Sequence, residues 1–283
     1  MGTGAVGSTG RRADMDGRNG EERDRTVVRI AAVGDLHYAR TTPAGALHPL
    51  FTAVAERADV LLLCGDLTDY GLPEEAQRLA RELPAARVPV LAVLGNHDFE
   101  SERADEVRAA LVEVGVRFLD GDSCELHGVG FAGVKGFAGG FGERALQAWG
   151  EPVVKQFVRE AVEEALKLES ALARLRTPTR IALLHYAPVE ATVSGEPREI
   201  VAFLGSSRLE EPLDRYRVTA VFHGHAHRGQ AEGRTRGGIP VYNVALPFLK
   251  HAHPGRPPFR VIEVEAGVPS VESVVGQALA RPE

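Results

Sequence analysis

The sequence predicts an α/β fold, and three observations carry that reading. Through the first half of the chain, short apolar runs alternate with stretches of helical periodicity, the pattern of βαβ units around a mainly parallel sheet. None of these runs approaches the ~18 residues that would suggest a membrane span. Several of them end in Asp, Asn or His: Asp35 with His37, Asp66, Asn96, His185, and His225 with His227. Open α/β sheets collect their ligands at the carboxyl ends of strands, so fold and function point to the same place.

The elements follow in order. Residues 27–33 read as a strand running into Gly34-Asp35. Thr42 and Pro43 are placed as the N-cap and first residue of a helix, with Leu47, Leu50, Phe51 and Val54 at helical spacing. Residues 59–64 form a continuous apolar strand of the kind buried on both faces. A helix over 73–83, a strand over 88–94 and a helix over 102–114 complete the alternating part. The pattern then changes to short strands at 116–119, 123–127 and 129–134. Residues 128–142 interleave glycines with Phe131, Phe137 and Phe141. They contain no Gly-Lys-Ser/Thr and so no phosphate-cradling P-loop; turns between strands and a loop lining a site are equally open readings.

The longest helix is expected over 152–176, where Val154, Val158, Ala161, Ala165, Leu168, Leu172 and Leu175 make one apolar stripe. Such a stripe more often faces a core than a partner helix. Residues 180–184 are a strand delivering His185, followed by a long loop over 186–205. Ser207-Arg208-Leu209-Glu210 is a capping-box sequence opening a short helix. A strand over 218–222 delivers the last histidines, and 239–244 and 259–264 are closing strands.

Composition narrows the class. The 283 residues suit one large domain with an extension. Residues 1–25, rich in Gly, Arg, Asp and Glu, bury too little to fold and are expected to be a disordered tail, leaving 26–283 as a single domain. A net charge of −6 with scattered Lys and Arg argues against tight unspecific nucleic-acid binding. Cys64 and Cys124 show no metal or redox spacing, and Cys64 in its apolar run reads as a buried small hydrophobe. Without a disulfide framework or a signal-peptide pattern, the expected location is cytoplasmic.

The ten histidines divide into two groups. His48, His127, His223, His251 and His253 follow no pattern and read as polar surface residues. The others recur at strand ends with Asp and Asn. Asp35 and His37, like His225 and His227, are two apart and would share a face if the chain there stays extended. Gly65 lets the backbone approach closely before Asp66. Mixed Asp, His and Asn ligands suit Mn, Fe or Zn better than Ca or a soft metal. Seven such side chains exceed the needs of one ion and suit two, if one carboxylate bridges.

Taken together, Gly34-Asp35-Leu36-His37, Gly65-Asp66-Leu67-Thr68-Asp69, Gly95-Asn96-His97-Asp98, His185 and Gly224-His225-Ala226-His227 make the chain resemble a calcineurin-like metallophosphoesterase over roughly residues 28–245. One block alone would be weak evidence; five in order are specific. The resemblance implies an α/β/β/α sandwich, two packed mixed β-sheets flanked by helices. It implies two metal ions, Mn and/or Fe with Zn as the alternative. One would be held by Asp35, His37, Asp66 and His227, the other by Asp66, Asn96, His185 and His225, with Asp66 bridging. The implied reaction is hydrolysis of a small phosphodiester or phosphomonoester by attack of a metal-bridging hydroxide. His97, oriented by Asp69, would assist the leaving group.

Two positions depart from the protein phosphatases of that superfamily: Tyr70 stands where they carry a phosphate-holding Arg, and Asp98 where they carry Glu. The pattern is closer to small bacterial-type phosphodiesterases, including the class that hydrolyses cyclic nucleotides. The expected partner is a small phosphoester, with neither a nucleic-acid nor a membrane signal. A nuclease of the same superfamily is the alternative enzyme, and a scaffold the non-catalytic one. A nuclease would need a basic groove that the sequence does not show; a scaffold would tend to have lost ligands that are all here.

Overall fold

The computed structural model describes residues 1–2 and 27–267. The expected tail, beyond its first two residues, lies outside the described residues, as does 268–283.

Two mixed sheets are built in chain order. The first contains β1 (Val27–Val33), β2 (Val60–Cys64), β3 (Val90–Val93), β4 (Val116–Phe118) and β11 (Arg260–Glu265), in the order β11-β1-β2-β3-β4. The second contains β5 (Asp122–Leu126), β6 (Val129–Gly133), β7 (Arg180–Leu183), β8 (Ala220–His223), β9 (Glu232–Arg234) and β10 (Pro240–Asn243), in the order β5-β6-β7-β8-β10-β9. β1 to β4 are parallel, as are β6, β7, β8 and β10, while β11, β5 and β9 run antiparallel at the edges. The helices are α1 (His48–Arg57), α2 (Pro73–Ala80), α3 (Ala104–Val112), α4 (Pro152–Ala173), α5 (Glu210–Arg215) and α6 (Leu246–Ala252).

Side-chain alternation along the strands produces the layers. Ala31, Val33, Leu61, Leu63 and Ala92 face outward onto Phe51, Val54, Leu79 and Leu111 of α1–α3. Their neighbours Ile30, Ala32, Val60, Leu62 and Val93 face the second sheet, meeting Phe131, Ile181, Leu183 and Phe222. The far side of that sheet, Ala132, Ala182 and Val221, is covered by Leu168 and Leu172 of α4 and Leu213 of α5. The result is the α/β/β/α sandwich, and the stripe on α4 is a core face. Cys64 is buried between the sheets.

Several local expectations need correction. No helix starts at Thr42: its hydroxyl accepts from Ala39 N–H (2.9 Å) in a turn, and α1 begins at His48 with Pro49 in its first turn. Leu50, Phe51 and Val54 are its buried face. The cap before α5 is Ser206 rather than Ser207, its hydroxyl accepting from Arg208 N–H at 3.3 Å. Glu210 turns away from a capping role, because its carboxylate accepts from Arg236 N–H (2.6 Å). β9 and α6 have no counterpart in the sequence reading; β9 is a three-residue edge strand, too short for a period-2 signal. His223 is fully buried, not a surface residue. Its two ring nitrogens meet Gly224 O and Thr192 Oγ1, both at 2.8 Å, which offsets the burial.

Candidate metal centre

Every predicted ligand follows a parallel strand at its carboxyl end: Asp35 and His37 after β1, Asp66 after β2, Asn96 after β3, His185 after β7, His225 and His227 after β8. Backbone hydrogen bonds stitch these ends together. Asp35 N–H donates to Gly65 O (2.9 Å) and His37 N–H to Asp66 O (3.0 Å). Gly34 N–H donates to Val244 O (2.8 Å), which joins the two sheets at the site, and Gly224 N–H donates to His185 O (3.2 Å) within the second sheet.

The paired ligands do not share a face through extended chain, as the spacing suggested. Asp35, His37, Asp66 and His225 have φ of 54°, 43°, 48° and 67°. A left-handed non-glycine backbone costs on the order of 1–3 kcal/mol per residue and persists where the surroundings over-determine it. Here it turns the chain sharply after each strand and aims the side chains inward. The glycines of the motif blocks make room. A Cβ on Gly65 would overlap the His185 ring, one on Gly95 the Asp66 carboxylate, and one on Gly224 the Asp35 carboxylate.

The ligands converge in two groups. Donor atoms of Asp35, His37 and His227 lie within 4.8 Å of one another, and so do those of Asp66, His185 and His225. Asp66 faces both groups: its Oδ2 is 3.8 Å from His37 Nε2, and its Oδ1 is 3.4 Å from His185 Nε2. Asn96 Oδ1 is 2.9 Å from His185 Nε2. His227 Nε2 is 2.9 Å from Asp35 Oδ1.

The chemistry of this set fits cations. His37 Nε2 is buried and has no hydrogen-bond partner. Burial pushes His37 and His185 below the usual histidine range and His225 down to about 3, so these imidazoles are neutral donors of an electron pair. His185 Nδ1–H donates to Cys64 O (2.9 Å), which leaves the Nε2 lone pair facing the oxygens of Asn96 and Asp66. Burial, then the Asp35 carboxylate, pushes the Asp66 carboxyl well above its ordinary range, so its ionised form needs a positive partner. His227 differs: its hydrogen bond to Asp35 raises it, and that proton would be displaced on metal binding.

His97 stands at the edge of this set. Its Nδ1 is 2.8 Å from Asp69 O and 3.2 Å from Glu100 Oε1, and its ring packs edge-on against His37 at 4.6 Å. The expected pairing with Asp69 is therefore made through the backbone carbonyl. The Asp69 carboxylate instead lies 3.3 Å from His37 Nδ1.

Three further residues support the site: the sequence shows Asp98 only as part of its block and does not single out Asn243 or Glu75. Asp98 is buried and accepts from Leu67 N–H (3.2 Å), Thr68 N–H (2.9 Å), Thr68 Oγ1 (2.6 Å) and Gly95 N–H (2.8 Å). It locks the second block to the third. Asn243, at the end of β10, donates to Ala226 O (2.7 Å) between the last two histidines and accepts from Ala245 N–H (3.1 Å). Its place at the carboxyl end of a parallel strand was the signal available. Glu75 accepts from Tyr70 N–H (2.9 Å) and so fixes the loop that carries Tyr70, a residue 58% exposed.

A direct check is available at Gly95. Gly95→Ala should lower bound metal and also destabilise the fold by about 1–3 kcal/mol, because the added methyl meets backbone as well as carboxylate of Asp66. Metal content and thermal melting measure both; an unchanged metal content would show that the close approach is unimportant.

Comparison with known proteins adds three findings. A family model described as calcineurin-like phosphoesterase matches residues 28–229. A probable cyclic nucleotide phosphodiesterase of Synechococcus sp. is 26% identical over 228 residues, covering 75% of this chain and 78% of that protein. Among solved structures, the phosphopantetheinyl hydrolase of Mycobacterium tuberculosis superposes with a TM-score of 0.57 at 15% identity, covering 82% of this chain and 95% of that one. GAP50, the anchor in the inner membrane complex of Plasmodium, superposes with a TM-score of 0.51 at 12% identity, covering 78% and 72%. At these identities the structural matches speak for the fold alone. Among the described residues no helix is long and apolar enough to cross a membrane.

Proposed function

This chain belongs to the calcineurin-like phosphoesterase family, and on that premise we propose that it hydrolyses small phosphodiesters with two metal ions bound. Hydrolysis of phosphoester bonds is the family's chemistry; the dinuclear arrangement, the metals and the substrate are our reading. One observation carries it: Asp66 offers one oxygen toward His37 and the other toward His185, between two histidine-rich groups. Asp35, His37, Asp66 and His227 would hold one ion, and Asp66, Asn96, His185 and His225 the other. Mn and Fe are the leading candidates and Zn the alternative, from the mixed oxygen and imidazole donors.

When bound, such cations would offset charge on phosphate oxygens and make a bound water more acidic. The chain supplies the rest. Asp66 and Asp35 hold charge against the cations. Cys64 O fixes the His185 tautomer so that Nε2 stays free. Asp69 O, with Glu100 beside it, holds the His97 ring through Nδ1, and Nε2 would then serve the leaving oxygen.

The diester preference rests on Tyr70. An Arg there would grip a dianionic terminal phosphate bidentately; a phenol does not. The similarity to a cyclic nucleotide phosphodiesterase supports the same class. Metal-stripped protein reloaded with Mn, Fe, Zn or Mg should turn over bis(p-nitrophenyl) phosphate or a cyclic nucleotide at least as efficiently as a phosphoserine peptide, in kcat/KM at one pH. A clear preference for the phosphopeptide would overturn the argument from Tyr70. No turnover with two metals bound would favour a scaffold.

A further inference from the structure

The glycine-rich segment 128–142 divides once folded. Phe131 is core between the sheets. Phe141 packs on a small cluster of Ala187, Val193, Leu204 and Ala226, and Ala226 separates the last two histidines. Phe137 belongs to a run of rings that starts on His225, one of the predicted ligands. Between ring centres, Tyr186 lies 4.6 Å from His225, Phe137 6.0 Å from Tyr186, Phe157 4.9 Å from Phe137, and Phe203 6.4 Å from Phe157. Exposure rises along the run: Tyr186 is buried, Phe137 and Phe157 are half-buried, and Phe203 is 57% exposed.

Phe203 is also tied to the centre directly. Its carbonyl oxygen is 3.3 Å from His225 Nε2, and covalent geometry then keeps its ring within about 10 Å of that nitrogen. The turn Val201–Phe203 is pinned on both flanks. Gly139 N–H donates to Ala202 O (2.9 Å) and Ala187 N–H to Leu204 O (3.0 Å). Val201 and Leu204 pack into the cluster around Ala226, while Phe203 stays outside it. Further apolar side chains are exposed close by in the chain. Ile200, 40% exposed, accepts through its carbonyl from Phe203 N–H (2.8 Å). Val153, 71% exposed, precedes Phe157 by four residues on α4 and so shares its face. Exposed apolar residues scattered singly are ordinary; a group of them at the rim of a site marks a binding surface.

We propose that Phe137, Phe157 and Phe203 form a shelf for an aromatic ester group of the bound phosphodiester, with Phe203 as the residue that selects it. The inference rests on the phosphoesterase reading for where the phosphate sits. An ester group on a phosphate at the centre reaches over the same span, and Phe203, edge-on to Phe157 at 83°, is open to stack on it. Two accounts compete. In one the ring only caps Phe157; in the other a second copy of the chain covers it.

Binding of inert phosphonate monoesters to the Mn-loaded full chain separates these accounts, by calorimetric titration. The probes are methyl methylphosphonate and benzyl methylphosphonate. The benzyl ester should bind about tenfold or more tightly, the range expected for burying a phenyl group. Phe203→Ala should bring the benzyl ester to within about threefold of the methyl ester. The methyl ester, too short to reach the ring, should itself change by less than about threefold. Phe203→Trp should retain the preference. No benzyl preference in the wild-type chain, or no binding of either probe, would overturn the proposal. So would equal weakening of both esters by Phe203→Ala, which would place its effect on His225 rather than on the ester group. A wild-type dimer in sedimentation that Phe203→Ala dissociates would assign the ring to a second copy instead. Turnover of bis(p-nitrophenyl) phosphate is measured in parallel. If turnover is present without the preference, only the shelf fails. If the preference is present without turnover, only the hydrolytic reading fails.

Discussion

Replacing Asp66 by Asn should strip both metals and reduce kcat/KM by more than about 10³, beyond the usual worth of a single preorganised charged contact. The carboxylate faces both histidine clusters, 3.8 Å from His37 and 3.4 Å from His185. Asn keeps the shape and can still accept from His97 N–H, now 2.9 Å from Asp66 Oδ1. It loses the charge and presents an N–H₂ to one cluster, where the neutral imidazoles offer only lone pairs. The structural consequence should be small and of opposite sign. A buried carboxylate without a cation is costly, so in excess chelator the Asn variant should melt no lower than wild type. With metal added, wild type should gain stability by mass action and the variant should not. Elemental analysis, steady-state kinetics and melting with and without chelator test the three statements. Two metals retained per chain in the Asn variant would remove Asp66 from its bridging place.

How much of this was legible in the sequence depends on which physical signal each residue leaves. Asp35, Asp66, Asn96, His185 and His225 could be picked out because each follows an apolar run, and the runs turned out to be parallel strands whose carboxyl ends meet. The glycines at 65, 95 and 224 are visible as the residues before Asp66, Asn96 and His225, but the side chains that need their space belong to other blocks: His185, Asp66 and Asp35 respectively. The backbone that aims the ligands was not legible. Spacing suggested extended pairs, whereas left-handed φ at Asp35, His37 and His225 does the aiming; Asp and His adopt it more often than most residues, but too rarely for sequence to single it out. The second sheet and its order were equally hidden, because β6 pairs with β7 across the long insertion that carries α4, and register is set by packing. The holding roles of Asp98 and Asn243 were missed for another reason. Those roles lie in hydrogen bonds to other blocks of the chain; strand-end position could mark Asn243 as a candidate, but not what it holds. His223 shows the reverse error: an isolated histidine reads as surface, yet burial beside Thr192 and Gly224 satisfies both of its nitrogens.

His97→Ala should leave both metals in place and slow turnover by about 10²–10⁴, the range of a positioned general acid. The size should depend on the leaving group. p-Nitrophenolate departs without a proton and should show the smaller loss; an alkoxide or an unsubstituted phenolate should show the larger. The same rate series, plotted against leaving-group basicity, should therefore be steeper for the variant than for wild type. This dependence is what separates proton donation from mere packing, since a lost contact with the edge of His37 at 4.6 Å would lower all rates alike. Geometry leaves a rival role to be tested, because a His97 nitrogen lies within the same 4.8 Å as ligand atoms of His37 and Asp66. If His97 ligated, the Ala variant would lose a metal ion, and elemental analysis would show it. The partners of Nδ1 make a further distinction. Asp69 contributes a backbone carbonyl at 2.8 Å that no substitution of its side chain removes, whereas Glu100 contributes a carboxylate at 3.2 Å. Glu100→Gln should consequently cost less than His97→Ala, because the carbonyl still orients the ring. Asp69→Asn should act chiefly on metal affinity, through His37 Nδ1 at 3.3 Å, and leave the leaving-group dependence of turnover unchanged. A steeper leaving-group dependence in Asp69→Asn would mean that its carboxylate, and not its carbonyl, sets the state of His97.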